Sequence, residues 1–133
     1  MLRAAAQLNL PPIPTLIYHV CMMRGVVFLD ATLAEIRDLP DPARQRIGYQ
    51  LEQLQRGRRP HSWKAINGLP GVYEIRVMFP DGIARTLYIT MGEDDSYIAP
   101  LVTFVKKSNK TPKRILDKAK SRLRTLKEQG YDK

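Results

Sequence analysis

The sequence predicts an α+β domain: an N-terminal strand, a helical hairpin, an antiparallel meander sheet and a closing basic helix. Three observations carry that expectation. Two signals, Asp41-Pro42 and Thr111-Pro112, each place a capping side chain and a proline ahead of an apolar stripe with helical spacing. Between them, residues 71–79 and 83–91 alternate on either side of Pro80-Asp81-Gly82, as the arms of a hairpin do. Ahead of both lies GVVFLD, residues 25–30, a short apolar run closed by an acid that can cap the next helix.

In chain order, ATLAEIRDL, 31–39, reads as a short helix with Leu33 and Ile36 on one face. The next helix runs from Pro42 to about Arg56, buries Ile47, Leu51 and Leu54, and stops at Gly57. A basic link, 58–64, leads into the meander. In its first strand, Tyr73, Ile75, Val77 and Phe79 share one face and Glu74 and Arg76 the other. Residues 97–105 form its third strand, where Pro100 removes a ladder donor and predicts an edge or a bulge. The last helix carries Ile115, Leu116, Ala119, Leu123 and Leu126 on its stripe and ends at Gly130.

Residues 1–22 differ in kind. They hold one charge, Arg3, and an apolar run broken by Pro11, Pro12 and Pro14, which suits neither a signal peptide nor a membrane helix. Met22 and Met23 directly precede the first strand. The expected organisation is therefore an extension, 1–22, read as a poorly packed tail or the product of an upstream start, and a domain, 23–133.

Composition excludes several functions. The single cysteine, Cys21, rules out an internal disulfide, leaves too few thiols for a zinc site, and suits a reducing cytoplasm. Two histidines, His19 and His61, do not make a paired-histidine nuclease. No phosphate-binding glycine loop, GxSxG or metal-spaced histidine pair occurs, so neither cofactor nor metal is implied. Glu93-Asp94-Asp95 falls in a turn and reads as solvated rather than metal-binding.

Charge is more informative. Of a net +9, residues 105–133 supply eleven bases against Asp117, Glu128 and Asp132, or 11 − 3 = +8. A second acid-free patch holds Arg56, Arg58, Arg59 and Lys64. Lys106, Lys107, Lys110, Lys113 and Arg114 crowd the start of a helix, where the dipole disfavours cations. Such clusters point to an anionic partner, most commonly nucleic acid, with a solvated basic helix as the bland alternative.

The meander offers matching chemistry. Glu74, Arg76, Arg85, Tyr88, Phe104, Lys106 and Lys107 lie on neighbouring strands. RNA can be cleaved without metal by attack of its 2′-hydroxyl on the adjacent phosphate, and Arg and Lys suit the charge that develops. Proton transfer would fall to Lys, Tyr or Glu. Phe104 or Tyr88 could stack a base. Plainer readings stand beside these: a surface pair for Glu74 and Arg76, a snorkelling Arg85, a core Phe104. Lys106 and Lys107, at a strand end, have no packing reason.

Over about residues 24–127 the chain resembles the phage-derived HigB-like toxins of the RelE/ParE superfamily. The resemblance is carried by ATLAEIRDLP, QLEQLQRGRRPHSWKAINGLPGVYEIRV, ARTLYI and TFVKKSNKTPKR, in that order. It implies a RelE-like fold and a ribosome-associated mRNA endoribonuclease, neutralised by a helix-turn-helix antitoxin through which alone operator DNA would be met. It places Arg85 as the phosphate-contacting strand arginine and Lys106 and Lys107 as the basic pair, with Arg76 and Tyr88 completing the catalytic candidates. Lys64, Phe104, Lys110, Lys113, Arg114, Arg58 and Arg59 would then bind RNA. Typical RelE members carry a tyrosine after the basic pair, where this chain has Ser108-Asn109. ParE-type members inhibit gyrase without cutting, which leaves a non-enzymatic inhibitor or a plain basic nucleic-acid-binding module as alternatives.

Overall fold

The computed structural model describes residues 2–4, 23–58, 63–106 and 111–130. Its elements in chain order are β1 (Leu2–Ala4), β2 (Gly25–Leu29), α1 (Asp30–Arg37), α2 (Asp41–Gln55) and β3 (Trp63–Ala65). They continue with β4 (Val72–Phe79), β5 (Gly82–Met91), a 3₁₀ turn (Glu93–Asp95), β6 (Tyr97–Lys106) and α3 (Lys113–Glu128). The strands form one sheet in the order β1-β2-β6-β5-β4-β3. β2 joins β6 in parallel, while the other pairs are antiparallel.

Each face of the sheet has its own cover, because strand period 2 sends apolar side chains both ways. On one face Val26, Phe28, Ile75, Val77, Phe79, Ala84 and Tyr88 pack under the helical hairpin, meeting Leu33, Ile36, Ile47, Leu51 and Leu54. On the other, Val27, Leu29, Val72, Leu87, Met91, Ala99 and Val102 pack under Ile115, Ala119 and Leu126 of α3. The expected stripe of α3 is the one observed, with Leu116 and Leu123 at its margins.

The capping expectation is corrected by one residue in each helix. The N-cap positions are Leu29, Pro40 and Pro112, all with extended ψ near 145–149°, and none makes a side-chain cap hydrogen bond. Pro40 and Pro112 set the entry angle through their fixed φ. Asp30 and Asp41 move into the first turn, where a negative charge complements the helix dipole.

Pro100 marks a bulge, as expected, but on a central strand rather than an edge. Leu87 pairs with Val102 and Tyr88 with Pro100, so Leu101 is the extra residue. Its carbonyl accepts hydrogen bonds from Thr32 Oγ1 at 2.7 Å and Arg122 Nη1 at 2.9 Å. Arg122 also grips Glu35 through both guanidinium nitrogens, at 2.8 and 2.9 Å, and Glu35 accepts the Thr103 N–H at 3.0 Å. The bulge thus ties α1, β6 and α3 at one point, satisfying a buried carbonyl that the ladder leaves over.

Two strands were not expected. β3 pairs with β4 inside the basic link, and Leu2–Ala4, within the stretch read as an extension, pairs with β2. The turn 93–95 is solvent-exposed, with Asp94 and Asp95 both at φ 54°.

Gly48 stands in the middle of α2 on its exposed side, and a Cβ built there meets nothing within 4 Å. Glycine there costs helix stability without a packing reason. Gly48→Ala is expected to raise stability by roughly 0.5–1 kcal/mol, read as a higher urea midpoint at unchanged m-value.

Candidate nucleic-acid interface

The turn Pro80-Asp81 fixes the register of β4 and β5, because Phe79 lies opposite Gly82. Counting back along the ladder puts Arg76 opposite Arg85 and Glu74 opposite Leu87. β6 extends the rows, Phe104 opposite Arg85 and Lys106 opposite Ile83, and β3 adds Lys64 opposite Glu74. Directly opposed residues share a face. Lys64, Glu74, Arg76, Arg85, Phe104 and Lys106 therefore lie together on the face that α3 partly covers.

Two arginines directly opposed should repel. Glu74 resolves the conflict: its Oε1 lies 3.4 Å from Arg76 Nε and its Oε2 3.7 Å from Arg85 Nη1. The three side chains differ sharply in access. Glu74 and Arg85 expose 3% and 1% of their side chains, Arg76 28%. Burial pushes the Glu74 carboxyl above the usual carboxylate range, opposed by Arg85, Arg76 and Lys64. Burial likewise lowers Arg85 from its ordinary value, opposed by Glu74, while Arg76 lowers it further. Arg85 and Glu74 form a closed inner pair, and Arg76 is the guanidinium that reaches solvent from it.

This arrangement overturns two plainer readings. Glu74 and Arg76 are not a surface pair, since the carboxylate is buried, and Arg85 does not snorkel to water. It also separates one candidate from the rest. Tyr88 is 2% exposed and lies in the core under the helical hairpin, its ring 6.0 Å from that of Tyr73. Period 2 along β5 sends it to the face opposite Arg85, so the expectation that the two share a site is corrected.

Around the inner pair the accessible groups are Lys64, exposed, and Lys106 and Phe104, both half-buried. Phe104 packs at the margin of the α3 core, so it is part core and part surface. Lys113 and Arg114 are exposed in the first turn of α3. Arg58 stays with α2, bonded to Gln53 through its backbone N–H at 2.9 Å and its side chain at 3.2 Å. Lys107, Lys110 and Arg59 lie outside the described residues. One member was not foreseen: Met78, 73% exposed, belongs to the Ile83 and Lys106 row. The hairpin register was the signal that could have found it.

Among the described residues no helix is long and apolar enough to cross a membrane. No curated protein sequence matches the chain significantly. Among solved structures, the fold is similar to that of a free-state E. coli toxin RelE in which two arginines are replaced by alanine. The TM-score is 0.58 at 20% identity, covering 77% of this chain and 99% of that one. The family model described as "Phage derived protein Gp49-like (DUF891)" matches residues 34–124, which include every strand and helix from α2 to most of α3. The chain thus has the RelE fold and belongs to the Gp49-like family of phage-derived proteins, a RelE/HigB-type toxin family.

Proposed function

We propose that the protein is the toxin of a toxin–antitoxin pair and acts as an endoribonuclease on mRNA at the ribosome. The observation that carries this reading is the layered sheet face. Lys64, Arg76 and Lys106 present cations to solvent around a buried Glu74–Arg85 pair, with Phe104 in the same row. A scissile phosphate set over Arg76 would meet positive charge where the pentacovalent phosphorane gains negative charge. The RNA 2′-oxygen forms the new P–O bond and loses its proton; the P–O5′ bond breaks and the 5′-oxygen takes a proton. The products are a 2′,3′-cyclic phosphate and a 5′-hydroxyl end. Glu74 is too deeply buried to meet the 2′-hydroxyl and serves to hold the two arginines.

Partners follow from the same reading: mRNA, the ribosome, and a helix-turn-helix antitoxin that would shield this face in the cytoplasm. Induction in growing cells is expected to stop growth and produce new transcript 5′ ends carrying hydroxyls. Growth arrest with no new 5′ ends would sink the nuclease reading in favour of inhibition by binding.

A further inference from the structure

The cations of α3 divide by role. Lys118 and Arg122 face Glu35, at 3.6 and 2.8 Å, and belong to the tie that holds the helix down. Lys113, Arg114, Lys120, Arg124 and Lys127 form no ion pair among the described residues, and all are exposed. At 3.6 residues per turn, Lys113, Lys120, Arg124 and Lys127 fall within about 60° of the helix circumference. They are opposite the buried Ile115, Ala119 and Leu126. The row is straight and spans about 21 Å. Asp117 lies beside it and Glu128 at its end; no other acid stands on the helix.

What is absent from this face is as informative as the charge. Among the described residues the exposed large apolar side chains are Tyr49, Met78, Tyr97 and Val105, and none is on α3. A protein partner would be expected to find an apolar or aromatic anchor at the centre of its contact. A splayed single strand would be expected to find aromatic platforms for its bases. A rigid line of Lys and Arg without either suits the phosphates of a duplex, which is recognised by shape and backbone.

We propose that the outer row of α3 is a second RNA surface that binds the phosphate backbone of duplex RNA. It is distinct from the sheet face that would receive the single-stranded substrate. The inference rests on the RNA reading proposed above and gives the protein two contacts of different kind: a docking rail and a cleavage face. On a structured RNA assembly the rail would hold the toxin while the sheet face takes the message.

The test uses the full-length protein and a short blunt-ended RNA duplex, with binding followed by fluorescence anisotropy from about 50 to 200 mM salt. The triple variant Lys120→Gln, Arg124→Gln, Lys127→Gln should flatten the log-affinity against log-salt slope by about two to three units, at ~0.7–0.9 per lost contact. Lys120→Arg with Lys127→Arg should leave the slope unchanged, and circular dichroism should show α3 retained in both. An unaltered slope in the triple variant would overturn the proposal. So would equal losses on a single strand of the same length, or tighter binding of polyglutamate than of the duplex. Cleavage of a ribosome-bound message is measured in parallel. Wild-type protein that binds the duplex through this row but cuts nothing on the ribosome refutes only the nuclease reading; protein that cuts but shows no dependence on the row refutes only the rail.

Discussion

Replacing Arg76 and Lys106 together by alanine is expected to lower single-turnover RNA cleavage by about a thousandfold or more, while the unfolding midpoint stays near wild type. Each cation aimed at developing phosphorane charge is worth on the order of 10²–10³ in rate, and groups acting as a unit do not add simply. Both side chains reach solvent, so removing them empties no core position. Charge balance also survives: without Arg76, Glu74 still faces Arg85, one acid against one buried base. The double variant should still bind its antitoxin. Cleavage within a few fold of wild type, with the fold intact, would show that the chemistry lies elsewhere on the molecule.

The inner pair should behave in the opposite way, with a large effect on stability. Glu74→Gln leaves the Arg85 guanidinium buried without its carboxylate and beside the Arg76 cation, and breaking a buried pair in this way costs about 3–5 kcal/mol. Arg85 cannot shed its proton to escape. Arg85→Met is gentler in acid, because Glu74 can neutralise itself. Burial already raises the Glu74 pKa, opposed by Arg85, Arg76 and Lys64; losing Arg85 raises it further. For a group whose folded pKa lies above its unfolded value, the stabilising contribution is complete below that unfolded value, near 4.5. It is lost as pH rises through the folded value. The stability of Arg85→Met should therefore fall more steeply than wild type as pH rises above that unfolded value. In Glu74→Gln that slope should vanish. Urea titrations at several pH values read both effects, and parallel pH profiles for wild type and Arg85→Met would refute the buried-pair account.

Much of this site was legible in the chain. The turn signature Pro80-Asp81-Gly82 locates the hairpin and period 2 puts Glu74 and Arg76 on one face, while the opposition of Arg76 and Arg85 follows from the observed pairing of Phe79 with Gly82. The same parity excludes Tyr88, so its inclusion among the candidates ran against a rule the sequence already supplied. The apolar stripe of α3 and the hairpin residues Ile47, Leu51 and Leu54 were equally readable, because helical period survives without tertiary context.

Other features required long-range contacts. Glu74 and Arg76 alternate with apolar residues and so resemble the wet side of a strand; that Glu74 is buried against Arg85 shows only in the folded sheet. Pro100 signals a broken ladder, but its place at the centre of the sheet comes from β2 inserting in parallel beside β6. Nothing local in residues 25–29 specifies that partner.

The sequence by itself determined the order of the three helices and of four of the six strands, the place of the hairpin turn and the two basic clusters, since each depends on turns, periodicity or charge within a few residues. Tertiary structure alone decided which cations reach solvent and which face Glu74 or Glu35. Access depends on what is packed around a side chain, and groups that meet can lie far apart in the chain, as Glu35 and Arg122 do.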